Sequence, residues 1–245
     1  MKENKYDDKH FFEQYAQMAR SKDGLAAAGE WPSLEKILPS FKDKRVLDLG
    51  CGYGWHSLYA LDHGAASVVA VDISSKMLEV AASKIDYDNI EFINLAIEDI
   101  NFEPNEFDII ISSLAMHYIE DYQKVIDKVE KILKPGGSFI MSVEHPIFTA
   151  EGSQFWIIEN DQIKYFPVDN YFYEGKRDTN FLDTDITKYH RTITTYVQTL
   201  IDKDLIIKHV IEPMPPQHLM DVVGMSDEMR RPMMLIIRAD KREAK

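Results

Sequence analysis

Val46-Leu47-Asp48-Leu49 runs into Gly50-Cys51-Gly52-Tyr53-Gly54, and Val68-Val69-Ala70-Val71-Asp72 follows after one helix's length of chain. An apolar strand that enters a glycine turn, followed by a second strand closed by an acid, points to a βαβ unit with a ligand at its strand ends. Glycine reaches positive φ and lets backbone approach a ligand closely, and an acid at the second strand tip can accept hydrogen bonds from both hydroxyls of a ribose. The pair reads as a nucleoside site. A dinucleotide fingerprint would set its third glycine five residues after Gly50, where Trp55 stands. Here that glycine is Gly54, so the turn is not spaced to hold a pyrophosphate on a helix N-terminus, and a nicotinamide-dependent oxidoreductase is disfavoured.

The alternation continues downstream. Strands are expected at Arg45 to Leu49, Ser67 to Asp72, Glu91 to Asn94, Phe107 to Ser112 and Ser138 to Val143. Helices are expected at Trp55 to His63, at Ser74 to Lys84 with Ser74 as N-cap, and along the stripe Tyr122, Val125, Ile126, Val129, Ile132, Leu133. Such repetition implies right-handed crossovers, a parallel sheet and a ligand at the carboxyl ends of its strands, where Gly50, Asp72, Ile97 and Ser113 fall. Ahead of the sheet, residues 7 to 19 show helical spacing, Arg20 to Gly24 breaks it, and a short helix begins at Pro32, giving a helical cap over residues 1–40.

After Val143 the alternation stops for about 45 residues, which reads as a lid inserted over residues 144–190. That stretch holds Phe148, Phe155, Trp156, Tyr165, Phe166, Tyr171, Phe172, Tyr173, Phe181 and Tyr189. The rings form either the wall of a substrate pocket or the packing of a small antiparallel flap. With 245 residues, 45% of them hydrophobic, the chain suits one α/β domain spanning 1–245. Forty-one acids against 28 bases give a net charge of -13, which repels phosphate backbones, and the basic run from Arg238 to Lys245 is interrupted by Asp240 and Glu243. No nucleic-acid partner is expected. One cysteine forms no internal disulfide, the opening MKENKYDDKH carries no apolar signal segment, and no run has the length of a membrane span. A cytoplasmic protein is expected, monomeric or homodimeric.

The GxGxG turn, with Asp48 two residues ahead of it, resembles motif I of the class I S-adenosylmethionine-dependent methyltransferases. Four further strings fall in that family's order: the strand ending in Asp72, Ala96-Ile97-Glu98-Asp99-Ile100, Phe107 through Tyr118, and Leu133-Lys134-Pro135-Gly136-Gly137. The resemblance implies a Rossmann-like, mostly parallel seven-stranded sheet with an antiparallel last strand, helices on both faces, and the lid after strand five. It implies S-adenosyl-L-methionine as cofactor and S-adenosyl-L-homocysteine as product. By the same resemblance Asp48, Gly50, Cys51 and Gly52 belong to the cofactor turn, Asp72 to the ribose, Ile73 and Met77 to the adenine faces, and Ser113 to the fourth motif. The family's usual third-motif acid lies where Ala96 stands, so beside Ile97 adenine recognition falls to Glu98 or a backbone carbonyl.

Glu144-His145-Pro146 and Tyr189-His190-Arg191-Thr192 resemble strings of a bacterial small-molecule subgroup whose N-terminal segment folds over the cofactor. That makes Tyr15 and Arg20 candidates for the sulfonium and carboxylate regions; the alternatives are a packing ring and a solvated cation. Methyl transfer is an in-line displacement that needs alignment and exclusion of water rather than a covalent intermediate, so Cys51 reads as a small turn residue. An acceptor that starts protonated needs a base, and His117, His145 and His190 are placed for it, each with the alternative of a packed imidazole. Glu144, Tyr171 and Arg191 are candidates for contact with the acceptor. No metal-ligand spacing is present. A small-molecule methyl acceptor is expected; a non-catalytic cofactor-binding module and a methyltransferase acting on tRNA or protein are the alternatives.

Overall fold

In the computed structural model, which describes residues 4–221 and 224–243, strand and helix alternate from residue 45 onward as the apolar runs imply. Positions 244 and 245, the end of the basic run, lie outside the described residues. Three short helices precede the sheet: α1 (Lys9–Tyr15), α2 (Ala19–Asp23) and α3 (Trp31–Leu34). Then come β1 (Arg45–Leu49), α4 (Trp55–Asp62), β2 (Ser67–Asp72), α5 (Ser75–Lys84), β3 (Ile90–Asn94), β4 (Phe107–Ser113), α6 (Tyr122–Ile132) and β5 (Leu133–Glu144). A one-turn helix α7 (Pro146–Thr149) leads to β6 (Ile157–Glu159), β7 (Gln162–Tyr165), β8 (Gly175–Phe181) and β9 (Thr184–His190). The chain closes with α8 (Ile193–Asp202), β10 (Leu205–Ile211) and β11 (Met234–Lys241).

Seven strands form one sheet in the order β10-β11-β5-β4-β1-β2-β3, and β11 runs antiparallel to both of its neighbours. Both sheet faces are covered, which is why the central strands read as continuous apolar runs rather than alternating ones. Successive side chains serve opposite layers. Leu47, Val69 and Ile110 pack with Val125, Val129 and Tyr196 of α6 and α8, whereas Val46, Val68 and Ile109 pack with Leu34, Ala60 and Leu61. All parallel strands therefore deliver their carboxyl ends to one edge of the molecule.

That edge is roofed from two sides. The N-terminal segment is tied to the β2–α5 junction, where Ser74 Oγ donates to Asp7 Oδ1 at 2.6 Å, Lys76 Nζ to the Asp7 carbonyl at 2.7 Å, and Asn4 Nδ2 to the Ile73 carbonyl at 3.2 Å. Tyr6 packs edge-on against Phe11 and Tyr15 with ring centroids 5.0 and 5.4 Å away. On the other side the long connection after β5 is not structureless. It folds into two hairpins, β6–β7 and β8–β9. The first turns at Asn160-Asp161 and the second at Leu182-Asp183, all four residues at positive φ, the backbone of two-residue hairpin turns. Arg20 to Gly24 likewise is no plain loop, because α2 continues to Asp23 before Gly24 turns the chain. No helix among the described residues is long and apolar enough to cross a membrane.

Gly54 shows how closely the unit is packed. It caps α4 at φ 75°, and a Cβ there would stand 2.8 Å from Ile85 Cδ1 and 3.1 Å from Ala81 Cβ. The third glycine thus lets α4 begin against α5. Gly54→Ala combines left-handed backbone with overpacking and is expected to lower unfolding free energy by about 2 kcal/mol in urea titrations.

Candidate active site

A cavity of about 790 Å³ opens at the carboxyl ends of β1, β2, β4 and β5, between the N-terminal segment and the β8–β9 hairpin. That lies toward the top of the range of roughly 300–1,000 Å³ typical of small-molecule pockets, room enough for a nucleoside and a second small ligand.

Its first end is built on Asp72. Gly52 N donates to Oδ2 and Ser74 N to Oδ1, both at 2.8 Å, so the backbone of the turn and of the following loop fixes the carboxylate at the strand tip. Each oxygen retains a lone pair for a ligand hydroxyl. Burial pushes the Asp72 carboxyl up, against the two hydrogen bonds. Gly52 stands at φ 55° with nothing within 4 Å of where its Cβ would be, and it lines the cavity. A side chain there would take ligand space. Gly50, Cys51, Ile73 and Met77 share this wall, and Ala96, Ile97 and Glu98 extend it. The Glu98 carbonyl accepts from Lys128 Nζ at 2.6 Å. Cys51 is buried and its thiol is pushed well above the ordinary range by burial, consistent with a space-saving residue.

Asp48 is placed elsewhere. It is absent from the cavity wall and lies buried behind the turn, where Oδ2 accepts from Ser57 Oγ of α4 at 2.7 Å and Oδ1 has no partner. Burial pushes its carboxyl up to about 7. In place of the expected cofactor contact, Asp48 braces α4 through Ser57 on the sheet face that strand alternation gives it.

A second region gathers the polar end. Tyr15 and Arg20 both line the cavity, and Arg20 pairs with buried Glu30 at 2.6 Å rather than projecting into solvent. Ser21 Oγ and Trp55 Nε1, on the same wall, are buried without a hydrogen-bond partner. Leaving such groups unmet is costly, so they are apt for the amino-acid portion of a ligand that also carries an adenosine. His56 lines this end too, held neutral because burial pushes it down to about 4.

The third region holds the remaining polar groups. Ser113 lines the cavity and shares a hydrogen bond of 3.1 Å with Ser142 Oγ. His117 Nδ1 accepts from Glu144 N at 3.3 Å, and burial pushes the ring down to about 4. With Nδ1 accepting, the neutral ring carries its proton on Nε2 and is a donor, not a base. Glu144 Oε1 meets Lys188 Nζ at 2.6 Å and Oε2 accepts from Gln154 Nε2 at 2.7 Å. Lys188, Gln154 and Tyr6 are absent from the sequence expectations, and Tyr118 enters them only as the end of the fourth family string. Tyr6 and Tyr118 join across the cavity rim, hydroxyl to hydroxyl at 3.2 Å.

Four expected contacts are corrected. His145 Nδ1 accepts from Ile147 N at 3.0 Å, capping α7, while Nε2 lies 2.8 Å from Glu212. His190 spends Nδ1 on Thr149 Oγ1 at 2.8 Å and Nε2 on the Tyr171 carbonyl at 2.9 Å. The Tyr171 hydroxyl accepts from Ile193 N at 3.2 Å, and the Arg191 guanidinium donates to the Ile119, Glu120 and Tyr189 carbonyls. None of the four lines the cavity; they brace its rim. Of the ten lid rings only Phe148, Phe181 and Tyr189 reach the wall. Trp156 and Phe166 enclose Arg231 with Phe148 at 4.4–5.1 Å, and Phe155 and Phe172 are 60% and 87% exposed.

Comparison with known proteins agrees with this geometry. Residues 47–141 match the family described as "Methyltransferase domain". A crystal structure of a candidate S-adenosylmethionine-dependent methyltransferase from Listeria monocytogenes is 50% identical, with a TM-score of 0.86 over 90% of this chain and 100% of that one. An S-adenosylmethionine-dependent methyltransferase from Mesorhizobium loti is 36% identical, with a TM-score of 0.83 over 89% and 100%. A demethylmenaquinone methyltransferase of Clavibacter sepedonicus is 34% identical over 99 residues, 40% of either chain.

Asp72→Ala is expected to weaken S-adenosylmethionine binding at least about 100-fold by calorimetry, since two hydrogen bonds to a charged acceptor are lost. Asp48 sets a pH dependence of stability. Its folded value lies above the unfolded one, so between about pH 4 and pH 7 the unfolded chain has released a proton that the folded chain keeps, and stability falls as pH rises through that window. Asp48→Asn is expected to flatten that slope in urea unfolding measured across the same range.

Proposed function

We propose, from the premise that this chain belongs to the class I S-adenosylmethionine-dependent methyltransferases and takes its methyl group from S-adenosylmethionine, that its acceptor is a small molecule. The observation that carries this reading is one continuous cavity with the backbone-held Asp72 carboxylate at one end and Glu144, His117 and Gln154 at the other, roofed by the chain's own N-terminal segment and hairpin. A protein or tRNA acceptor needs an open groove, and for tRNA a basic one, whereas the chain carries a net charge of -13. The Clavibacter relative, similar over 99 residues, is named for a demethylmenaquinone acceptor, neither a protein nor a nucleic acid. A single cysteine, Cys51, is in keeping with a cytoplasmic setting.

S-adenosylmethionine supplies an electrophilic methyl group on a sulfonium, displaced in line by the acceptor's lone pair. The chain's part is placement. Asp72 would hold the sugar, Ile73 and Met77 would flank the base, and Arg20, Ser21 and Trp55 line the end that would take the amino-acid portion. Tyr15, packed on Tyr6 and Tyr53, closes the wall between the two ends with a ring that tolerates a sulfonium. Tyr6 and Tyr118 close the rim, excluding water from the reacting centre. Of the three expected histidines only His117 stands at this cavity, as a neutral hydrogen-bond donor.

Incubation with methyl-labelled S-adenosylmethionine and separate fractions of small metabolites, tRNA and protein tests the reading. Label and S-adenosylhomocysteine are expected to appear with the small-molecule fraction alone. Label in tRNA or protein, or cofactor binding without turnover on any fraction, refutes it.

A further inference from the structure

Glu144 closes β5 with its carboxylate on the cavity wall, and both of its polar neighbours come from the inserted segment. Lys188 Nζ lies 2.6 Å from Oε1, Gln154 Nε2 lies 2.7 Å from Oε2, and Lys188 also donates to Gln154 Oε1 at 3.0 Å. Lys188 is itself only 2% exposed. Burying an ion pair costs desolvation, and apolar side chains of similar volume fasten a flap as well or better. Lys188 lies behind the wall, and only Glu144 and Gln154 reach the cavity, so fastening alone does not account for a carboxylate presented there. Lys188 and Gln154 take one lone pair on each carboxylate oxygen, leaving the others open. Beside them His117 presents Nε2–H, because its Nδ1 accepts from Glu144 N. A hydrogen-bond acceptor and a donor therefore stand together on a cavity whose wall also carries Phe148, Phe181 and Ile186.

We propose that Glu144 is the catalytic residue that takes the acceptor's proton, that the acceptor is a small aromatic molecule bearing an O–H or N–H at the methylated atom, and that Lys188 and Gln154 are positioning residues. This rests on the small-molecule reading above. As the acceptor's lone pair forms its bond to the methyl carbon, the carbon–sulfur pair stays on sulfur as a neutral thioether. The acceptor's own proton passes to the Glu144 carboxylate. His117 Nε2–H steadies the acceptor atom without changing its own protonation. The titratable and charged groups around Glu144 are Lys188 from β9, His117 and Tyr118 from the turn after β4, Tyr196 from α8 and Arg231 ahead of β11. Burial pushes Glu144 up, but the Lys188 ammonium and the hydrogen bonds from Lys188 and Gln154 outweigh it and hold the carboxyl below its usual range. It meets the acceptor ionised.

The test uses the protein loaded with S-adenosylhomocysteine and two probes, phenol and its methyl ether anisole, titrated by calorimetry. Phenol is expected to bind about tenfold more tightly than anisole, since only phenol donates to the carboxylate. In Glu144→Gln, and in the double variant Glu144→Leu with Lys188→Met that replaces the pair by apolar volume, that preference is expected to fall below about threefold. A preference that survives in the double variant, or is missing in the wild type, overturns the assignment. Turnover on a panel of phenols and anilines gives a second readout. Lys188→Met is expected to move the acid limb of the pH–rate profile to higher pH by about one unit, with Lys188→Arg keeping the wild-type profile. Equal loss at every pH in Lys188→Met means a strut, and refutes the positioning role. Methyl transfer confined to tRNA or protein defeats the small-molecule reading, whereas methylation of phenols, with S-adenosylhomocysteine released from the cofactor, undiminished in Glu144→Gln defeats only the role given to Glu144.

Discussion

Two backbone N–H groups converge on the Asp72 carboxylate, and most of the site is arranged by that convergence. Gly52 N–H brings the glycine turn after β1 onto the tip of β2, and Ser74 N–H brings the start of α5 onto the same side chain. Ser74 in turn caps α5 through Met77 N and holds Asp7 of the N-terminal segment. One carboxylate thus joins turn, strand, helix and roof. Charge-assisted hydrogen bonds of this kind are worth more than neutral ones. The arrangement orients the acid before any ligand arrives, so binding does not have to meet the cost of ordering it.

The sheet, its crossovers and the position of the glycine turn were legible because they rest on local rules. Continuous apolar runs mark strands buried on both faces, and the glycine spacing marks the turn; β11 runs antiparallel as the family resemblance implies. Asp48 misled because its place in the motif suggested a ligand contact, while the pleat turns it toward Ser57. The lid was harder. Asn160-Asp161 is an ordinary hairpin turn, but Leu182-Asp183 puts a leucine at positive φ, and no propensity argument foresees it. His145 looked catalytic because it follows the fifth strand, and His190 because it lies where the lid returns to the core. Only the fold shows their nitrogens committed to Ile147, Thr149 and a backbone carbonyl. Lys188 escaped notice for the opposite reason: a lone lysine in a strand of alternating polarity reads as solvent-facing until Glu144 and Gln154 are seen around it.

The aromatic lid divides its labour in a way composition could not reveal. Phe148 faces both ways, lining the cavity while its ring meets Arg231, whose guanidinium also lies against Trp156 and Phe166. A buried cation among three rings, paired with Glu228 at 2.7 Å, anchors the segment before β11 to the lid. The rings therefore fix the lid's base, and the β8–β9 hairpin supplies its cavity-facing side through Phe181, Ile186 and Tyr189.

A roof fixed on one side and hinged on the other follows from these bonds. The hairpin side is held by the Arg231 cage, by His190 with both nitrogens engaged, and by Arg191 on three carbonyls. The N-terminal side is held by Asp7, Asn4 and Lys76 together with the Tyr6–Tyr118 contact. Each such exposed or half-buried hydrogen bond contributes only about 1 kcal/mol, so residues 4–8 can open at far less cost than global unfolding. Asp7 accepts from Ser74 Oγ and Ser74 N–H donates to Asp72, so the roof and the carboxylate at the strand tip are fastened through one residue. Tyr6, Tyr15 and Tyr118 stand on the wall beneath it.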